Sequence, residues 1–186
     1  MIRLALALPL TMLTGPAMAH GTLPGGGGFY SGALHPVVAL DHLLAVLALG
    51  LLSGRLQTRL PVAGFVAGLI AGLAWAQPLP WGPVVILLLT LALGGVLAAD
   101  MRLRARVLAG LALLLGAVLG TETDTGAAGL AATTGTIVAA SLILLNAMAL
   151  AGVLRAPPRG IVLRVAGSWL VAIACLMLAL RLGGTA

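Results

Sequence analysis

Three side chains that can bind a metal ion fall within one segment of eight residues, 35–42, which reads HPVVALDH. They are His35, Asp41 and His42. Imidazole nitrogen and carboxylate oxygen together suit divalent nickel, cobalt, zinc or copper, whereas magnesium and calcium favour oxygen ligands alone. The segment therefore predicts a transition-metal site. Two alternatives stay open: Asp41 orients an imidazole by accepting its second ring proton, or these polar groups only form hydrogen bonds between helices.

Four other residues are secondary candidates for metal binding, namely His20, Glu122, Asp124 and Asn146. His20 would chelate through its amine and imidazole if it were the first residue of the mature chain. The carboxylates of Glu122 and Asp124 would attract a cation towards the first span, or else be solvated surface groups. Asn146 would line a path or bond to a neighbouring helix.

Hydroxyl side chains precede Asn146 on the same predicted helix. Serine and threonine in membrane helices often form hydrogen bonds with their own backbone, so these residues need no further role. They are Thr133, Thr134, Thr136 and Ser141.

The composition indicates a membrane protein. Of 186 residues, 61% are apolar and 8% are charged, and the mean hydropathy is +1.20. A soluble domain has roughly a quarter charged residues, so this chain has too little polar surface to fold in water. All ten basic residues are arginines scattered between apolar blocks, so the net charge of +6 does not indicate nucleic-acid binding. The single cysteine, Cys175, allows no intramolecular disulfide, and we expect it to be a small core residue.

The amino-terminal segment, 1–19, has the features of a secretory signal peptide. A basic start and a short apolar stretch lead to the small-x-small sequence AMA. We predict cleavage after Ala19, with an uncleaved signal anchor as the alternative. The mature chain would then begin at His20 with a Gly-rich extracytoplasmic tail, 20–32.

Beyond the tail, residues 33–186 predict an all-α transmembrane domain of six helices. The apolar runs are close to the ~17–25 residues that a helix needs to cross a membrane. Two of them, 106–121 and 161–181, have short stretches without charge, so we expect flanking arginines to snorkel or the bilayer to thin there. The six predicted helices are 33–53, 61–77, 82–99, 106–121, 127–152 and 161–181.

The arginines orient these six spans. Short cytoplasmic loops collect arginine and lysine, whereas translocated loops do not. Eight of the ten arginines lie in or beside the first, third and fifth connections, and the second and fourth connections have none. This pattern predicts that the mature amino terminus and the carboxyl terminus both lie outside the cytoplasm.

Glycines at four-residue spacing predict close packing between helices. Small residues at this spacing let two helix backbones approach, which is a main source of association in lipid. The pattern therefore predicts a tight bundle, and it is compatible with a homo-oligomer. The glycines are Gly64, Gly68 and Gly72 in the second span, and Gly116 and Gly120 in the fourth.

Pro36 predicts where the first span begins. Proline suits the first helical turn and disfavours helical geometry in the residue before it. We therefore expect His35 to lie just before the helix, near the outer surface. Asp41 and His42 would then lie about 8 Å deeper, at ~1.5 Å per residue.

Taken together, these features resemble the hydrogenase and urease accessory membrane proteins of the HupE/UreJ type. The likeness lies in the secretory start, His20-Gly21, the six-helix layout, and a first span that opens His-Pro and continues Asp-His-Leu-Leu-Ala up to Ala45. It spans nearly the whole chain. The resemblance implies that His35, Asp41 and His42 bind metal. It also implies a permease for nickel or cobalt in the bacterial inner membrane, with both mature termini on the periplasmic side, that supplies hydrogenase or urease maturation.

The chain also departs from that family. The family usually has glycine where Ala39 stands and methionine where Val46 stands. A second, histidine-rich stretch is common near the outer end of the fourth span, where this chain has 120–124 (GTETD), and relatives often have histidine where Asn146 stands. No histidine follows His42 in this sequence, so we expect a divergent member whose ligands are shifted towards oxygen.

The sequence thus predicts an inner-membrane permease for a divalent transition metal, with no tightly bound cofactor. The alternative is a membrane metallochaperone or assembly partner that binds metal without moving it. An enzyme is not expected, because no Gly-x-Ser-x-Gly elbow occurs. The chain has no lysine and no Walker-type phosphate loop, so ATP-driven transport would need another subunit.

Overall fold

A computed structural model describes residues 28–75, 77–123, 129–154 and 160–184. Throughout these residues the chain is helical, with loops and no strands, so the predicted all-α class is confirmed. The predicted signal peptide, 1–19, and most of the predicted tail lie outside the described residues. The helices are α1 (Gly28–Val38), α2 (Leu40–Leu56), α3 (Leu60–Trp75), α4 (Gly82–Ala98), α5 (Ala105–Glu122), α6 (Gly129–Leu154) and α7 (Gly160–Gly183).

Three of these helices, α5, α6 and α7, are long and apolar enough to cross a membrane, and α1 with α2 forms a fourth candidate span that is bent by 75°. The remaining two, α3 and α4, are apolar but only 16 and 17 residues long. The fourth and sixth predicted spans, 106–121 and 161–181, lie in helices that extend beyond their charge-free stretches. Their helices, α5 and α7, have 18 and 24 residues because they take in flanking polar residues, among them Arg106, Glu122 and Arg164.

The glycines at four-residue spacing bring α3 and α5 into close parallel contact, in agreement with the predicted tight packing. A Cβ added at Gly64 or Gly72 would collide with the backbone carbonyl of Ala109 or Ala117, respectively. Conversely, a Cβ at Gly116 would meet the carbonyl of Phe65. These glycines are therefore needed for the close approach of the two backbones.

The central helix is α2, which contacts α1, α4, α5, α6 and α7. It runs parallel to α6, because Gly50 faces Leu144 and Ala147 while Gly54 faces Met148. Most residues of α2 from Leu44 onwards are buried and apolar. The helix therefore forms the middle of the bundle, and the segment 35–42 lies at one end of it.

At the opposite end of the bundle, the arginine-bearing ends of two helices contact the end of α4 and the loop after it. Arg55, at the end of α2, forms an ion pair with Asp100 and donates a hydrogen bond to the carbonyl of Met101 at 3.2 Å. Arg164, near the start of α7, donates to the carbonyl of Ala98 at 3.3 Å. Two of the arginines that orient the spans in the sequence, Arg55 and Arg164, thus bond at the same end of the bundle.

The start of the first span differs from the prediction. Helix α1 begins at Gly28 rather than at residue 33, so part of the predicted Gly-rich tail is helical, and His35 lies within the helix. Pro36 is in its last turn, not in a first turn. The helix breaks instead at Ala39, whose φ of −76° and ψ of 98° are extended. Alanine adopts this φ without strain, so a glycine is not needed at the break.

Cys175 is exposed, which contradicts the expectation of a core position. The buried residues of α7 are Leu163, Gly167, Leu170 and Ala174. Adjacent residues on a helix point ~100° apart, so the residue after Ala174 is turned away from the bundle. The apolar run around Cys175 reflects contact with lipid as well as with protein.

Candidate metal site

The break between α1 and α2 brings His35 and His42 together. Their ring centroids are 5.1 Å apart, with an interplanar angle of 63°. In an uninterrupted helix, residues seven apart are separated by roughly 10 Å along the axis. The bend of 75° shortens this separation, so the two imidazoles face each other from different helices.

His42 is held inside the protein, with only 4% of its surface exposed. Its Nδ1 atom is buried, and among the described residues it has no hydrogen-bond partner. A buried polar atom without a partner is costly. The arrangement suits a ligand, because an imidazole nitrogen is the commonest protein donor to divalent transition metals.

Asp41 lies in the first turn of α2, where a negative charge interacts favourably with the helix dipole. Its Oδ1 accepts a hydrogen bond of 3.0 Å from the backbone N–H of His42. The carboxylate is therefore next to the histidine pair in sequence but bonded to the backbone. Within the described part of the chain, no three His, Cys, Asp or Glu side chains are placed to hold one metal ion together.

A threonine from α6 completes the backbone hydrogen bonding of α1. Proline has no N–H, so Pro36 cannot donate to the carbonyl four residues earlier, which is that of Gly32. The Thr136 hydroxyl donates to this carbonyl instead, at 3.0 Å and in a buried position. Neighbouring Ser and Thr side chains commonly satisfy such freed carbonyls in membrane helices. The hydroxyl side chains of α6 can be recognised in the sequence, but their spacing does not predict that Thr136 bonds to Gly32.

The backbones of α1 and α6 touch at the same place. A Cβ at Gly32 would collide with the carbonyl of Ala132, and a Cβ at Gly135 would collide with that of Phe29. Helix α1 therefore crosses α6 in close contact just before His35. This packing explains why a glycine-containing segment with poor intrinsic helix propensity is helical.

Glu122 and Asn146 are the two secondary candidates within the described residues, and each forms its hydrogen bond away from the histidine pair. Glu122 Oε1 accepts a hydrogen bond of 3.0 Å from the backbone N–H of Leu79, and the carboxylate lies against Gly82. Glu122 is thus bonded to the loop between α3 and α4. Asp124 and His20 lie outside the described residues.

Of the two roles predicted for Asn146, the interhelical bond is not found among the described residues, and the path stays a prediction. The Nδ2 of Asn146 donates to the carbonyl of Leu142 on its own helix at 2.7 Å. The side chain is exposed beside an apolar groove between α2 and α6, which Leu47 and Leu51 also line. It lies more than four turns along α6 from the helix start, at ~3.6 residues per turn, and so away from the contact with α1.

Comparison with known proteins gives one family. A family model described as HupE / UreJ protein matches residues 8–178. The match includes His35, Asp41 and His42 and covers nearly the whole chain. No curated protein and no solved structure matches.

Proposed function

The chain belongs to the HupE / UreJ family, and on that premise we propose that it is an inner-membrane permease for a divalent transition metal ion, with nickel or cobalt as the cargo. The ion would bind first at His35 and His42, with Asp41 supplying negative charge beside them. The metal would then be released on the cytoplasmic side for metalloenzyme maturation, in hydrogenase or urease assembly.

The observation that carries this proposal is a pair of histidines at a broken helix, in which His42 is buried and His35 is half-buried. Polar groups at membrane depth are costly, so they are usually paired or functional. Here the His42 Nδ1 is buried, without a hydrogen-bond partner among the described residues, and its ring faces that of His35 across the break. Broken helices are also where membrane transporters commonly place their ion sites.

We further propose six spans, with α1 and α2 together forming the first. The alternating directions of the packed helices fit this count, and the short helices α3 and α4 can be accommodated by local thinning of the bilayer. The end that holds Arg55 and Arg164 would be cytoplasmic by the positive-inside rule. The histidine pair is at the other end of α2, so it would receive metal from the periplasm, where both mature termini would also lie after cleavage at Ala19.

One observation favours a second candidate, a metal-binding accessory protein without transport. Beyond His42, the buried face of α2 is apolar, and its buried hydroxyl, Ser53, donates to the carbonyl of Leu49 at 2.7 Å. The buried Thr90 of α4 is likewise bonded to its own helix at 2.8 Å. These groups offer no further ligands in this conformation, so metal would stay at the histidine pair until handed on.

Two measurements separate the candidates. The first is equilibrium binding of Ni²⁺ and Co²⁺ to the purified full chain, and the second is flux of the same ions into liposomes that contain it. A permease binds and moves the metal, whereas an accessory protein binds it without flux. Absence of both binding and flux would refute both candidates.

A further inference from the structure

We propose that Thr136 is a positioning residue for the histidine pair. It does not touch the metal, and it acts through the backbone of α1. This inference rests on the proposed function for its metal readout. It rests independently on the geometry of the contact between α1 and α6.

The first step concerns the carbonyl of Gly32. Pro36 deprives it of the helical donor it would otherwise have, and Gly32 is buried. A buried carbonyl without a donor is costly, so loss of its partner would destabilise the helical form of α1. The hydroxyl of Thr136 supplies the missing hydrogen bond, 104 residues away in the sequence.

The second step is that this bond is unusual within the protein. A threonine hydroxyl on a helix ordinarily donates to a carbonyl three or four residues earlier. Thr133 does so with Gly129 at 3.1 Å, and Thr134 with Ala131 at 2.9 Å. Among the Ser and Thr hydroxyl bonds of the described residues, only that of Thr136 reaches another helix.

The third step connects this bond to the site. Gly32 and His35 are three residues apart in α1, so they lie on the same side of that helix, about one turn apart. The bond fixes α1 against α6 one helical turn before His35. It therefore helps to set the position from which the His35 ring meets His42 across the break at Ala39.

A double-mutant cycle between Pro36 and Thr136 tests the proposal. Pro36→Ala restores a backbone N–H that can reach the Gly32 carbonyl, so the hydroxyl of Thr136 becomes dispensable. Thr136→Val removes the hydroxyl at nearly constant shape, and Thr136→Ser keeps it. The matched control is Thr133→Val, which removes a hydroxyl that bonds only within α6.

The readout is Co²⁺ affinity of the purified full chain, followed by the visible absorption of the bound ion. We expect Thr136→Val to weaken Co²⁺ binding by about tenfold, the usual scale for losing a group that orients a ligand, and Thr136→Ser to bind like wild type. In the Pro36→Ala background, Thr136→Val should change the affinity by less than about twofold, because the restored N–H at position 36 already donates to the Gly32 carbonyl. Equal losses in both backgrounds, or a loss in Thr133→Val as large as in Thr136→Val, would overturn the proposal.

A second readout needs no metal and separates this inference from the proposed function. The midpoint of thermal unfolding is measured in detergent without metal for the wild type, Pro36→Ala, Thr136→Val and the chain that carries both substitutions. Thr136→Val should lower the midpoint with Pro36 present and much less in the Pro36→Ala background, and additive effects would overturn the proposal.

The outcomes of the two readouts are distinguishable. If the coupling is found in the unfolding midpoints while the wild type binds no Co²⁺, the proposed function fails and the structural link stands. If Thr136→Val does not fold, Pro36→Ala combined with Thr136→Val should fold, because the restored N–H replaces the lost hydroxyl. Failure of that rescue also overturns the link.

Discussion

The imidazoles of His35 and His42 face each other across the break between α1 and α2, with ring centroids 5.1 Å apart. Neither helix alone could place them so. The pair depends on the bend of 75° at Ala39 and on the packing of α1 against α6. Changes at the rings, at the adjacent carboxylate and at distant packing glycines therefore have different expected effects.

Replacement of either ring should strongly reduce metal uptake. His42→Ala and His35→Ala each remove one of the two imidazole donors proposed for the ion, so we expect uptake of labelled nickel or cobalt to fall by more than about tenfold. The assay is uptake by cells that produce each variant at equal membrane levels. Uptake by both variants at the wild-type rate would show that the pair has no part in transport.

Asp41 should matter less than the histidines. Its Oδ1 accepts the backbone N–H of His42, and the amide oxygen of Asp41→Asn can still accept it. We expect Asp41→Asn to unfold close to the wild-type temperature and to lose only a few-fold in metal affinity, because a nearby negative charge is lost. Isothermal titration with Ni²⁺ and Co²⁺ measures this. A loss as large as that of His42→Ala would instead make Asp41 a direct ligand, as the sequence alone predicts.

The contact between α3 and α5 should be intolerant of a single methyl group. A Cβ at Gly68 would collide with the Leu113 carbonyl, so Gly68→Ala should destabilise the protein by about 1–3 kcal/mol. Gly110→Ala is the matched control, because a Cβ there meets nothing within 4 Å and alanine favours a helix by about 0.5–1 kcal/mol. Thermal unfolding in detergent compares the two. Equal unfolding temperatures would contradict the close packing.

Glu122 should contribute to stability and not to metal binding. Glu122→Ala leaves the backbone N–H of Leu79 without its acceptor, and we expect a loss of about 1–2 kcal/mol in the free energy of unfolding. Metal affinity should remain within about twofold of wild type, which corresponds to a change of less than roughly 0.4 kcal/mol in the free energy of binding. Unfolding and titration of the same preparation check both statements. A large loss of affinity without loss of stability would return Glu122 to the metal site.

Much of the helical layout can be predicted from the sequence, because apolar runs indicate where the helices lie and arginines indicate their orientation. The glycines of α3 and α5 are recognisable for the same reason, since their four-residue spacing puts them on one face of each helix. Charge bias alone assigns Arg55 and Arg164 to one side, and in the structure they bond at the same end of the bundle. These are local signals, so a single sequence contains them.

The geometry of the site is less accessible because it depends on contacts between distant segments. Local preference puts Pro36 in a first turn, yet Thr136 satisfies the carbonyl that it frees, and α1 extends in the other direction to Gly28. The bend is at an alanine, Ala39, so no glycine in the sequence indicates it. The expectation for Cys175 is wrong because an apolar run in a membrane protein does not tell the face towards lipid from the face towards protein.

Metal titration of the purified full chain tests most directly whether the histidine pair binds a transition metal. The wild type and Gly110→Ala should bind Ni²⁺ or Co²⁺ with the same affinity, and the chain that carries both His35→Ala and His42→Ala should bind neither ion above the level of an empty detergent control. Saturable binding of unchanged affinity in the double variant would contradict a metal site at this pair.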